Sequence, residues 1–191
     1  VDGDPNGTMI ANPIDASIIN RFARIRAELP TKDQETKIIL ADYPSIIYLE
    51  DQLVGIYDLD KDKSTKIWGS PWQPEFYDWA FNLPRNGEDL KEKWFWIPND
   101  TDILVTHGPP FGHCDVTPYG NLNVGCELLR VRVDEIKPKI HVFGHVHSGY
   151  GYKFYEGTHF INAAVLNERY KYANKPLTVE WDPETNELEF I

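Results

Sequence analysis

Cysteine is scarce in this sequence. Cys114 and Cys126 are the only two in 191 residues, and they do not stand at CxxC spacing. Two such residues cannot staple a disulfide scaffold or build a Cys-rich zinc site. They read as free thiols in a reducing compartment, and the expected location is cytoplasmic. Long apolar runs are also missing. No stretch approaches the roughly 20 residues that span a bilayer, which excludes a transmembrane helix. Basic residues are outnumbered, 19 Lys and Arg against 30 Asp and Glu, for a net charge of −11. A surface this acidic repels phosphate backbones and anionic lipid. That excludes a broad duplex-binding face and a membrane partner. There is no P-loop, no Ser nucleophile elbow, no internal repeat and no low-complexity segment. The first residue is Val1 and no signal peptide follows, so the native start of translation is expected to lie outside this sequence.

What remains is ordinary globular composition, with 41% apolar and 26% charged residues, and the length suits one domain over residues 1–191. Residues 1–14 read as loop. Asp2-Gly3-Asp4-Pro5-Asn6-Gly7 imitates the opening of a calcium loop, but its twelfth position would be Pro13, where a bidentate Glu is needed. Ile18, Phe22, Ile25 and Leu29 fall at helical spacing and predict a helix over 16–29, with a shorter one over 32–41. Strands are expected at 46–49, 53–57 and 66–69. A short helix is expected over 88–96, ahead of Pro98. The stretch from Pro71 to Ile97 is dense in aromatics, and packing is the favoured role for most of them, with the wall of a substrate pocket as the alternative.

After residue 100 the pattern becomes strand, loop, helix, strand, loop. A buried strand over 102–106 runs directly into His107-Gly108-Pro109-Pro110. An amphipathic helix over 124–136 ends at Lys137-Pro138. A second buried strand over 139–143 runs directly into Gly144-His145-Val146-His147. Short strands follow at 152–155, 159–162, 177–181 and 188–191, the last two joined by the turn-rich segment 182–186. The whole is α/β. In such sheets functional groups collect at the carboxyl ends of the strands.

Six histidines are present, and three sit at those ends. His145 and His147 are two apart, so in extended backbone both rings leave on one face. Gly144 and Gly149 flank them and are expected to let the backbone turn. His107 follows the other strand and is stiffened by the Gly-Pro-Pro after it. Three imidazoles converging on one sheet end make a candidate transition-metal site. His113 is a weaker candidate, as a phosphate contact or, preferably, a loop cap. His141 alternates within a strand and reads as structural, and His159 has no evident partner.

Thr106-His107-Gly108-Pro109-Pro110 and Phe143-Gly144-His145-Val146-His147-Ser148-Gly149-Tyr150-Gly151 resemble the last two motifs of the calcineurin-like metallophosphoesterases, closest to the metallophosphoesterase-domain-containing (MPPED-type) branch. Trp68-Gly69-Ser70-Pro71-Trp72, Phe81-Asn82-Leu83-Pro84-Arg85, Val124-Gly125-Cys126 and Ile161-Asn162-Ala163 are similar to that branch too. The resemblance runs from about Ile46 to near the C-terminus. It implies a two-sheet α/β/β/α sandwich, here incomplete at the N-terminal side. It also implies a binuclear centre of divalent manganese, zinc or iron, with His107 and His145 on one ion and His147 on the other. The implied activity is hydrolysis of a phosphodiester, cyclic nucleotides among them, by a metal-activated hydroxide. Trp72, Asn82, Arg85 and His113 would help shape the pocket.

The family's opening motifs, Asp-x-His, Gly-Asp and Gly-Asn-His-Asp or Gly-Asn-His-Glu, do not occur in this sequence at strand ends; Gly3-Asp4 copies the Gly-Asp letters without a buried strand before it. No catalytic acid or base is therefore identified in the chain, and half a metal site is expected. Without the first strands, the strand bearing His107 is expected to expose an edge. The primary reading is the C-terminal portion of a metal-dependent phosphodiesterase. Beside it stand a non-catalytic descendant that binds a nucleotide or a protein, and a module holding one metal on His107, His145 and His147.

Overall fold

The computed structural model describes residues 46–58 and 62–191. The loop and the two helices expected over 1–41 lie outside them. In chain order the described elements are β1 Gln52–Asp58, β2 Lys63–Ser70, β3 Gln73–Pro74, β4 Asn82–Leu83, α1 Glu88–Phe95, β5 Ile103–Thr106, α2 Glu127–Ile136, β6 Ile140–Phe143, β7 Gly151–Tyr155, β8 Thr158–Asn162, β9 Val179–Trp181 and β10 Leu188–Phe190. Six strands form the main sheet in the order β1-β2-β5-β6-β8-β7. Its four inner strands run parallel, and β1 and β7 close the edges antiparallel.

Period-two alternation along the inner strands sorts side chains onto two faces. One face carries the cross-strand row Trp68, Leu104, His141 and Phe160. Most of that row packs in one core with Leu90 and Trp94 of α1 and Leu129 and Val133 of α2. The other face carries Ile67, Ile103 and Ile140, with Ile161 beside them. It is covered by Leu177, Val179, Trp181 and Leu188, on and just before the β9–β10 ribbon. The layering is thus helices, sheet, ribbon. This is the mixed α/β architecture expected, with the second layer of strands reduced, among the described residues, to a two-stranded ribbon.

Several boundaries differ from expectation for local reasons. Residues 46–49 form no strand, and the hairpin begins at Gln52. Asp51 turns the chain there, at φ 52°. Its carboxylate accepts hydrogen bonds from Ser70 Oγ and Trp72 Nε1 and pairs with the Lys93 ammonium. Helix α2 starts at Glu127, three residues later than expected. Cys126 is engaged in a parallel bridge with Pro110 and its N–H donates to Pro109 O, so the chain enters the helix extended. Cys126 Sγ then caps the helix by accepting Leu129 N–H.

Strand β5 does not present an edge, contrary to expectation: it lies between β2 and β6, paired on both sides. Because β2, β5, β6 and β8 are parallel, their carboxyl ends emerge on one rim of the sheet. His107 and His145 follow two of those ends closely. Among the described residues no helix is long and apolar enough to cross a membrane.

Candidate functional site

His107 is the first residue after β5, and His145 is the second after β6. His147 opens a single 3-10 turn, His147–Gly149. The two loops are joined by the Gly144 N–H, which donates to His107 O at 3.0 Å. The left-handed backbone expected of a glycine falls on His145 itself, at φ 66°. A non-glycine residue in that conformation is conformationally costly and needs surrounding structure to hold it. Gly144 has space around it: a Cβ there would meet nothing closer than His107 O at 4.0 Å. Gly149 is different. A Cβ there would lie 1.9 Å from Cys114 O and 2.8 Å from Asn162 Nδ2. Its role is close approach.

His107 Nε2 and His145 Nδ1 lie 3.1 Å apart. Burial first, and then neighbouring His107 and His147, hold the His145 imidazole down at about 4, so at neutral pH it presents a lone pair rather than a charge. Two nitrogens each bound at about 2.0–2.1 Å to one divalent ion, in neighbouring positions, stand about 3.0–3.4 Å from each other. The observed separation matches that bite. The donor chemistry fits as well, since neutral imidazole is a ligand for zinc and iron and, alongside carboxylates, for manganese.

His147 belongs to the same rim but is oriented differently. Its Nδ1 lies 2.7 Å from Asn167 O. A carbonyl can only accept, so Nδ1 carries the proton and Nε2 is left as the potential ligand nitrogen. Such backbone anchoring of the second ring nitrogen is usual for metal-binding histidines. Among the described residues, no group of three or more His, Cys, Asp or Glu side chains is poised to hold one ion. The geometric fit therefore extends to His107 and His145 as a pair.

Aromatic rings border this pair. Phe76 stands edge-on to His145, with centroids 4.9 Å apart, and Trp79 approaches the same ring at 6.3 Å. Tyr170 meets both Trp79 and His147. Of the aromatic segment, then, Trp94 is core while Phe76 and Trp79 wall the histidines. Composition alone did not separate these roles, because it does not say which side of a loop a ring faces.

Asn82 organises that wall. Its amide accepts from Gln73 Nε2 and Phe76 N–H and donates to Tyr77 O at 2.8 Å. Arg85 reaches elsewhere, donating to Val124 O and Gly125 O and pairing with Glu127 at the start of α2. Trp72 donates to Asp51 and lies under Lys93 Nζ. The bonds of these three side chains run to loops, to Glu127 and to Asp51. Among the described residues, His113 caps no loop through its ring nitrogens, and its burial keeps it from the surface where a phosphate contact was the other expectation. It is buried, stacked on Phe160 at 3.8 Å. Burial, then Arg130 and Lys153, lower it to about 4. His159 does have partners, Tyr152 Oη and Asn186 O, each at 2.8 Å.

Other supports escaped the sequence reading. Asn162, fully buried at the end of β8, donates to Val146 O and Cys114 O and accepts from Ala164 N–H. It holds the residue between His145 and His147. Asn167 braces its own turn by accepting Arg169 N–H and Lys171 N–H on Oδ1, while its carbonyl holds His147. Asn162 stood in the Ile161-Asn162-Ala163 motif without its bonds being legible, and for Asn167 the signal available was the frequency of Asn in turns.

Known proteins share much of this chain. It is 45% identical over 135 residues to metallophosphoesterase domain-containing protein 1 of Homo sapiens, and equally so to that of Mus musculus. Over these residues the chain is homologous to the metallophosphoesterase-domain-containing branch. The match covers 70% of this chain and 39% of each relative's length. A UPF0046 protein of Caenorhabditis elegans is 43% identical over 132 residues, which is 69% of this chain and 31% of that protein. No protein-family model matches. One solved crystal structure superposes at a TM-score of 0.53 with 16% identity, covering 83% of this chain and 58% of the other, a likeness of fold. This homology fits the histidine motifs, and the chain spans well under half the length of these relatives.

Proposed function

We propose that this chain carries the histidine half of a metal-dependent phosphoesterase centre. The observation that supports it most is the pair of imidazoles, His107 Nε2 and His145 Nδ1, 3.1 Å apart at the carboxyl rim of a parallel sheet. His107 and His145 hold one divalent ion, and His147 offers Nε2 to a second. Divalent manganese, zinc or iron would supply the positive charge that an acidic protein lacks and would lower the pKa of an attacking water. Phe76 and Trp79 exclude solvent from one side of His145. Asn162 and Asn167 orient the His145-Val146-His147 segment from behind. A carboxylate ligand and a catalytic acid would have to be supplied by residues other than these three histidines.

The substrate class is a small phosphodiester, cyclic nucleotides among them. The relatives' name supports the chemistry, and the net charge of −11 argues against duplex nucleic acid and membrane partners. Two free thiols, Cys114 and Cys126, suit a cytoplasmic setting.

The test is hydrolysis of bis(p-nitrophenyl) phosphate by the native full-length protein with Mn²⁺ present. His145→Ala is expected to reduce turnover at least a hundredfold. Unchanged turnover in that variant would remove the assignment. Nucleotide binding without any turnover in the wild type would favour the non-catalytic reading.

A further inference from the structure

Behind His107 lies a buried polar pair that no part of the proposed chemistry uses. Thr106 Oγ1 donates to Gly108 O at 2.7 Å, a bond that spans His107. A hydroxyl has one proton, so its contact with His141 Nε2 at 2.9 Å requires that ring to donate. Both side chains are buried, His141 completely. Among the described residues, His141 Nδ1 is left a buried acceptor without a hydrogen-bond partner. An apolar side chain would fill this core position without that penalty. The polar contact His141 makes in exchange is the one to the Thr106 hydroxyl.

The backbone around His107 is then fixed at three successive points. The Thr106 hydroxyl sets the direction of the Gly108 carbonyl. The Gly144 N–H holds the His107 carbonyl at 3.0 Å. The strand ladder holds Thr106 itself, opposite Ser70 of β2. We infer that Thr106 and His141 are positioning residues: His141 orients the Thr106 hydroxyl, which clamps the loop and aims His107 Nε2 at the same point as His145 Nδ1. This rests on the reading of His107 and His145 as ligands of one ion.

The experiment uses the 191-residue chain, with Thr106→Val, Thr106→Ser and His141→Phe. Long-range ¹⁵N–¹H correlation spectra of the metal-free proteins report the tautomer of each histidine. The wild type is expected to show His107 in one fixed tautomer, and Thr106→Ser to match it. Thr106→Val and His141→Phe are expected to show an averaged His107 ring. Zn²⁺ affinity, measured on folded protein by chelator competition, should fall about tenfold in the same two variants and stay within about twofold in Thr106→Ser. A merely structural role would lower the denaturation midpoint and leave both readouts in place. A fixed His107 tautomer in Thr106→Val, or an averaged ring in the wild type, overturns the inference. If His141→Phe fails to fold, the isosteric Thr106→Val decides alone. If the wild type binds no Zn²⁺, the ligand assignment fails, while the tautomer comparison still decides the positioning role.

Discussion

Gly149 and the buried histidines show how single residues set the terms here. The ideal Cβ position at Gly149 falls 1.9 Å from a backbone carbonyl, that of Cys114, which cannot swing aside as a side-chain tip would. Gly149→Ala is therefore expected to destabilise the fold by about 1–3 kcal/mol or more, read as a lower urea midpoint; an unchanged midpoint would show that the Cys114 loop yields freely. His141 gives a pH dependence of definite sign. Burial holds it at about 3, with His113 adding to the effect, while the unfolded value is near 6.5. The unfolded chain thus binds more protons between those values. Stability is full above about pH 6.5 and is lost progressively as the pH falls toward 3, on the order of 5 kcal/mol from His141 alone. Urea midpoints at pH 7 and pH 4.5 should differ accordingly, and by less in His141→Phe. Equal pH slopes for wild type and variant would contradict this.

At the level of elements, the rim is organised by loops tied across the sheet. The β3–β4 loop carries Phe76 and Trp79, with Asn82 closing it through its carboxamide. Asn82→Ala should cost about 1–2 kcal/mol and shift tryptophan emission to the red as Trp79 gains solvent; unchanged emission would mean the loop holds its shape without the amide. Arg85 links the same region to α2. Arg85→Ala removes bonds to two carbonyls and Glu127, and a loss of about 1 kcal/mol in urea denaturation is expected because the side chain is part-exposed. The strands were legible in the sequence where alternation or apolar runs were strong, as at Ile103, Leu104 and Val105 or Ile140 and Val142. The start of α2 was not. Val124 and Leu128 continue its apolar spacing, and the Pro110–Cys126 bridge that keeps the chain extended up to the cap is a tertiary contact. The ion pair that holds Asp51 was hidden for the same reason, because Lys93 lies 42 residues away.

For the molecule as a whole, what could be read in advance was what the chain encodes locally. The Gly-His-Val-His segment after a buried strand, and Thr-His-Gly-Pro-Pro after another, pointed to His107, His145 and His147 on one rim. The supports of those residues could not be read. Thr106 meets His141 at a separation of 35 residues, His147 meets Asn167 at 20 and Asn162 meets Cys114 at 48. Such pairs follow from strand order and register, which alternation does not specify. Asn82 and Arg85 attracted notice by residue type and motif, and their observed bonds are to loops and to the start of α2. The net charge of −11 and the neutral His145 are what the proposed cation at this rim would complement.

The most direct test of that account is calorimetric titration of the chain with Zn²⁺ and with Mn²⁺, alongside its His107→Ala and His145→Ala variants. At least one ion per chain is predicted for the wild type, with affinity reduced about a hundredfold or more in each variant while both remain folded. No binding by the wild type, or binding that neither substitution weakens, would contradict the assignment of His107 and His145 as a metal-holding pair.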